Sequence, residues 1–374
     1  MMNNKTLIFK TLTRFISVFA LSAIVVLLSS CGNPRQSKNK TGNELDSLKG
    51  LKDYYKDFFP IGVAVAPGSV EGEQATLILK HFNSLTTENV LKPGPIHPEE
   101  NRYFWDDADK IVNFAQANKM KVRGHTLVWH NQTGDWMFKD SKGNTATKEV
   151  VLARLKDHIN QVVTRYKGKI YAWDVLNEAV VDDSSKFLRE TQWYRICGEE
   201  YIAKAFQWAH EADPDAQLFY NDYNTENPGK RDRIYRLLKQ LLDAGVPVHG
   251  MGLQGHWNID NPAEKNLRES IEKFSSLGLK IQITELDVNI YASRSDTTNV
   301  GFTPEREQKQ LDLYKMVFRV FRDYKDVITG VTFWNVSDKG SWLDGREPRV
   351  GKKYPLLFDE NLKPKKAYLE VVRF

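Results

Sequence analysis

Along residues 48–374, short runs rich in β-branched and aromatic residues alternate with longer stretches in which apolar residues recur every three or four positions. The first pattern predicts strands and the second amphipathic helices. Strands are expected at 59–65, 84–88, 121–127, 169–178, 216–222, 248–254, 280–287 and 330–336. Helices are expected near 70–80, 107–118, 147–166, 192–211, 228–244, 262–277, 304–324 and 363–372. In the third of these, Val151, Leu152, Leu155, Ile159, Val162 and Val163 form one apolar stripe suited to the surface of a sheet. Asn261–Pro262 and Thr303–Pro304 each set a capping side chain before a proline, which predicts helix starts at both places. Eight strand–helix repeats predict an α/β fold of the (β/α)8 TIM barrel kind. An open doubly wound sheet alternates in the same way, but no GxGxxG turn follows the first strand, and Walker and GxSxG motifs are absent.

The N-terminus has a different pattern. Lys5, Lys10 and Arg14 precede an apolar run, FISVFALSAIVVLL at 15–28, that is short for a membrane span. LSSCG follows, and its Cys31 resembles the lipidated cysteine of bacterial lipoproteins. The expected division is therefore a signal peptide at 1–30, lipidated Cys31 with a polar tether at 31–47, and a catalytic domain at 48–374. On this expectation the protein is exported and held at a membrane by its N-terminal lipid, facing the periplasm or the cell surface. The remaining cysteine, Cys197, has no second thiol to pair with and is expected to pack as a small apolar residue.

Composition excludes more than it adds. Hydrophobic residues at 41% and charged residues at 27% are ordinary for a globular chain and rule out bulk disorder. The formal net charge is +5, and three of those charges are the leader's Lys5, Lys10 and Arg14. Nothing in this balance points to a nucleic-acid partner. Nine Trp in 374 residues are enough to serve both as core and as platforms for flat ligands.

Polar residues gather at the C-terminal ends of the predicted strands, the face on which barrels build their sites. Glu88, Asn89 and Lys92 follow strand two; His125, Trp129, His130 and Gln132 follow strand three. Asn177 and Glu178 end strand four, and Tyr223 lies in NDYN after strand five. Gln254 and His256 follow strand six, Glu285 and Asp287 end strand seven, and Trp334 and Trp342 accompany strand eight. Glu178 and Glu285 each cap an apolar run, so each carboxylate stands on a rigid strand end. Two such groups facing across one mouth suit glycosidic hydrolysis, one as acid/base and one as nucleophile. A Glu285–His256–Asp287 string would keep Glu285 ionised, which makes it the nucleophile and Glu178 the acid/base, with Asn177 on the sugar 2-hydroxyl. Trp129, Trp334 and Trp342 supply faces for sugar rings. No strict metal-ligand spacing occurs, so neither metal nor cofactor is expected.

LTTENVLK (85–92), RGHTLVWHNQ (123–132), WDVLNEA (173–179), NDYN (221–224), GLQGHW (252–257), ITELDV (283–288) and FWNVSDKGSW (333–342) together resemble glycoside hydrolase family 10, across nearly all of residues 48–374. The resemblance implies an endo-β-1,4-xylanase with a retaining mechanism, acting on xylan and xylo-oligosaccharides; apart from the resemblance, the chain is expected to be a monomer. The resemblance carries the acid/base to Glu178, the nucleophile to Glu285 and support to His256, Asp287 and Asn177. It sets Glu88, Asn89 and Lys92 on the sugar two positions toward the non-reducing end. His125, Trp129, Gln254 and Trp334 then line the reacting sugar, with Gln132 close by, Trp342 above the cleft and Tyr223 on the leaving-group side. Two other activities compete: a β-1,4-glucanase on the same machinery, and a non-catalytic glycan-binding lipoprotein. One departure stands out: Gly134 occupies a position where the family usually has proline, which predicts a looser loop.

Overall fold

The computed structural model describes residues 49–292, 301–346 and 351–374. Eight parallel strands surround one axis: β1 (Ile61–Val65), β2 (Ser84–Thr87), β3 (Lys121–Val128), β4 (Ala172–Asn177), β5 (Gln217–Asp222), β6 (Gly250–Leu253), β7 (Lys280–Asn289) and β8 (Ile328–Phe333). Each pairs with the next, and β8 returns to β1 through Ile61↔Val331, so the sheet is closed. The closed (β/α)8 barrel expected from the alternation is the fold observed. The strands are buried along nearly their whole length because one face meets the barrel interior and the other meets helices.

The outer helices follow the predicted stripes. Helix Lys148–Arg165 buries Val151, Leu155, Ile159, Val162 and Val163 as expected, but His158 is buried in the stripe while Leu152 is only half-buried. Thr303 caps helix Pro304–Asp323 through the Arg306 N–H at 3.3 Å. The other expected start is displaced: that helix begins at Glu264. Asn261 is instead engaged in a turn, exchanging backbone hydrogen bonds with Asn258 (3.3 and 2.9 Å). The single helix expected at 192–211 is two, Gln192–Cys197 and Glu200–Ala212, broken at Gly198. Cys197 is buried as expected, and burial pushes its thiol up to about 11.

A short extra strand, His256–Asn258, escaped the sequence pattern. It pairs with the end of β7 in the register His256↔Asp287. Gly255 lets the chain re-enter pairing there: its φ is +78°, and a Cβ would stand 3.1 Å from Ile283 Cγ2.

The expected membrane partnership and membrane-anchored localisation need correction. Among the described residues no helix is long and apolar enough to cross a membrane. The long barrel helices each bury one apolar stripe and carry charged residues elsewhere. The leader, Cys31 and the tether lie outside the described residues.

Candidate active site

Beneath the barrel mouth lies a buried ion pair. Arg123 sets both terminal guanidinium nitrogens on the two Asp174 oxygens and donates from Nε to Gln282 Oε1 at 2.8 Å. A charge buried this deeply persists only because it is paired and hydrogen-bonded. Asp174 Oδ2 also meets His125 Nδ1 at 2.9 Å, so the pair fixes the imidazole that faces upward into the site.

Glu178 follows β4 and leaves the extended conformation at once, with φ +61°. A left-handed backbone at a non-glycine residue costs about 1–3 kcal/mol and persists only where surrounding contacts impose it. Its carboxylate accepts from Trp129 Nε1 at 3.0 Å and from Gln254 Nε2 at 3.0 Å. His130 Nε2 lies 3.9 Å from Glu178 Oε2. Burial is the main cause that brings the His130 pKa down to about 4, partly offset by Glu178.

Glu285 occupies the other side of the mouth. Asn221 Nδ2 donates to its Oε1 at 2.8 Å, and His256 Nε2 meets its Oε2 at 3.0 Å. The other His256 nitrogen, Nδ1, lies 2.9 Å from Asp287 Oδ2, which also accepts from Trp342 Nε1 at 2.7 Å. With a carboxylate oxygen at each ring nitrogen, the imidazole holds both protons. Burial alone would lower the His256 pKa, but Asp287 and Glu285 overcome it and raise it to about 10. Burial alone would raise Glu285, but the charge of His125, the His256 hydrogen bond and charge, and the charge of Lys92 bring it down to about 2. Lowering of the Glu285 pKa adds stability above 4.5 that is lost as pH falls toward 2; raising of the His256 pKa adds stability below 6.5 that is lost as pH climbs toward 10.

Amides join the two carboxylates. Asn221 Nδ2, besides reaching Glu285, donates to Asn177 Oδ1 at 2.9 Å, and Gln254 Nε2 donates to the same oxygen at 3.2 Å as well as to Glu178. The Asn177 carbonyl must face these two donors, because the opposite orientation would set nitrogen against nitrogen. Thr284 Oγ1 donates to Asn221 Oδ1 at 2.6 Å and fixes the central amide.

Comparison with known proteins now decides the family. Residues 50–374 match the model of glycosyl hydrolase family 10. The chain belongs to glycosyl hydrolase family 10. It is 49% identical over 357 residues to the β-1,4-xylanase of Dictyoglomus thermophilum, covering 95% of this chain and 99% of that one. It is 50% identical over 326 residues to endo-1,4-β-xylanase A of Caldicellulosiruptor saccharolyticus, covering 87% and 95%. Among solved structures, xylanase XynB of Paenibacillus barcinonensis complexed with a conduramine derivative superposes with a TM-score of 0.85 at 46% identity, covering 87% of this chain and 99% of that one.

Most residues singled out in the family 10 motifs converge on this mouth. Lys92 Nζ donates to Asn89 Oδ1 at 2.9 Å and lies 4.9 Å from the Trp129 ring. Burial lowers the Lys92 pKa, opposed by Glu285, Glu88 and Glu178; burial raises that of Glu88, opposed by Lys92. Trp334 packs edge-on to His125 with ring centres 5.2 Å apart, and Trp342 lies 4.6 Å from His256. Tyr223 stands to one side, bonded to Asp182 (2.8 Å) and Arg189 (3.0 Å). Gln132 is not brought in by its side chain. It is exposed, and its backbone carbonyl accepts from Gly94 N at 2.5 Å. Gly134 does not mark an empty space, since a Cβ there would stand 2.7 Å from the Trp136 indole and 3.2 Å from Pro98 O. Among the described residues no group of His, Cys, Asp or Glu is arranged to hold a metal ion.

Asn221, Asp174 and Arg189 were not assigned roles by sequence reasoning. For Asn221 a signal existed: it stands one residue before the end of β5, as the register partner of Asn177 at the end of β4. Gly252 makes room for it, because a Cβ there would overlap Asn221 Oδ1. Gly252→Ala is therefore expected to turn the Asn221 amide away from Glu285 and to lower kcat on xylan by about 10-fold or more. Steady-state kinetics check this; unchanged kcat would show that Asn221 is not needed at that spot.

Proposed function

We propose that Glu285 is the nucleophile and Glu178 the acid/base of an endo-1,4-β-xylanase that cuts internal bonds of xylan with retention, and that the catalytic domain spans 48–374. The observation that carries these roles is the placement of His256 between Glu285 and Asp287, because a nucleophile must be ionised and an imidazolium at 3.0 Å keeps Glu285 so. Glu178 has no such cation at that distance. It accepts only from neutral donors, Trp129, Gln254 and Asn177.

In the first step Glu285 attacks the anomeric carbon. The glycosidic C–O bond breaks while Glu178 gives its proton to the departing oxygen, leaving a glycosyl ester on Glu285. In the second step Glu178, now a carboxylate, takes a proton from water; the water oxygen bonds to the anomeric carbon and the ester bond to Glu285 breaks. Two inversions give net retention. Asn177 sits beside Glu178 where a sugar 2-hydroxyl contact can strengthen in the transition state. Glu88, Asn89 and Lys92 hold the sugar two positions toward the non-reducing end. His125, Trp129, Gln254 and Trp334 line the reacting sugar, with Trp342 above it and Tyr223 on the leaving-group side.

Following the anomer released from xylohexaose by NMR tests the mechanism: β-anomeric new reducing ends are expected, and initial α product would overturn it. Parallel assays on xylan and carboxymethyl-cellulose test the substrate, with faster cutting of cellulose overturning the xylan assignment. The proposed work of His256 has its own signature. In His256→Asn the Glu285 pKa rises, so the acidic limb of kcat/KM on an activated aryl xylobioside moves up by about one pH unit or more. An unmoved limb would mean that Glu285 is kept ionised by other groups.

A further inference from the structure

The left-handed backbone of Glu178 is pinned at both of its peptide groups. Its N–H donates to Asn221 O at 2.9 Å, and its carbonyl oxygen accepts from Arg189 Nε at 3.1 Å. The first bond belongs to the strand ladder. The second comes from a residue at the far base of the loop after β4. Arg189 is itself held firmly: its N–H donates to Ala179 O at 2.8 Å, and its carbonyl accepts from Thr191 N at 2.8 Å. Thr191 in turn caps helix Gln192–Cys197 through the Tyr194 N–H at 3.2 Å.

The guanidinium is half-buried, and among the described residues neither of its side-chain hydrogen bonds goes to a carboxylate. Nη2 donates to the Tyr223 hydroxyl at 3.0 Å, which donates to Asp182 Oδ2 at 2.8 Å. The carboxylates close by already have a cation in Lys230, whose Nζ lies 2.8 Å from Asp222, 3.0 Å from Asp182 and 3.5 Å from the centre of the Tyr223 ring. Lys230, not Arg189, makes the direct contacts with these carboxylates. The planar Arg189 fork spans a phenol and one peptide carbonyl, and that carbonyl belongs to the residue with the strained backbone.

We infer that Arg189 is a positioning residue: by holding the Glu178 carbonyl it fixes the left-handed turn that aims the Glu178 carboxyl at the glycosidic oxygen. Arg189 acts in this way only if Glu178 is the acid/base, as proposed above. A misaimed acid impairs departure of a leaving group that needs a proton and spares one that does not. Lysine, with a single ammonium on a flexible stem, reaches one of the two acceptors and restores part of the effect.

The test compares Arg189→Met, Arg189→Lys and Glu178→Ala on xylohexaose and on 2,4-dinitrophenyl xylobioside, with thermal melting of each variant. Arg189→Met is expected to lose about 10–100-fold in kcat/KM on xylohexaose and less than about 3-fold on the dinitrophenyl substrate. Arg189→Lys should lie between Arg189→Met and the natural protein on xylohexaose, and it carries the comparison if the Met variant does not fold. Equal losses on the two substrates, or no loss on xylohexaose, would overturn the inference provided Glu178→Ala shows the split. If Glu178→Ala lacks the split, it is the acid/base assignment that fails.

Discussion

Glu285→Ala is expected to reduce xylan turnover to below about one ten-thousandth of the natural rate, because no other group stands where the glycosyl ester forms. The loss should fall on kcat. Oligosaccharide binding should survive, since Trp129, Trp334 and Lys92 do not depend on Glu285 for their packing. His256 keeps Asp287 as its carboxylate partner, at 2.9 Å, so the site should not unravel. Steady-state kinetics and titration calorimetry with xylotriose separate the two effects. Retained turnover would remove Glu285 from the nucleophile's role, and lost binding would mean that its contribution is to hold the sugar.

Glu178→Ala is expected to cost about 10²–10⁴-fold on xylan, where the leaving oxygen needs a proton. The glycosyl ester should still form from a dinitrophenyl xylobioside, whose leaving group departs unaided, and should then persist because water lacks its base. Azide needs no base. Its nitrogen bonds to the anomeric carbon as the ester bond to Glu285 breaks, giving a β-xylobiosyl azide that NMR identifies. A folded variant that gives no azide product, or an α-configured one, would count against the assignment. Trp129 Nε1 and Gln254 Nε2 each lose an acceptor in this variant, and a modest fall in thermal stability is the expected companion.

Both experiments concern residues that stand out in the chain. Glu178 and Glu285 follow apolar runs, and the runs read as strands because barrel strands are buried on both faces. The same logic placed His256 and Asp287 together, though by a weaker path. The sequence pattern ends β6 before His256, and the pairing His256↔Asp287 is made by a three-residue strand too short to leave a periodic signal. Gln132 shows the opposite failure: its neighbours in the motif reach the site while its own side chain is exposed.

Arg189 and Asp174 were out of reach for a different reason. Each works through a partner 11 or 51 positions away, the Glu178 carbonyl for one and Arg123 for the other. A hydrogen bond to a backbone carbonyl has no sequence signature, because every residue offers one. A buried arginine in a strand resembles an exposed one until the paired carboxylate is located. The N-terminal leader is the converse case, a composition signal whose residues lie outside the described fold.

What the amino-acid order determined by itself was periodicity and therefore the eight barrel strands, the class of fold, and which carboxylates stand on or just after a strand. Local sterics and burial are short-range, and they are written into neighbouring residues. What only the tertiary structure decided was protonation and aim. The low pKa of Glu285 depends on His125, His256 and Lys92, which come from three other parts of the chain, and the backbone turn of Glu178 is held by bonds from β5 and from the far end of its own loop. Electrostatic interactions depend on distance in space, and the closed barrel is what turns separation along the chain into contact.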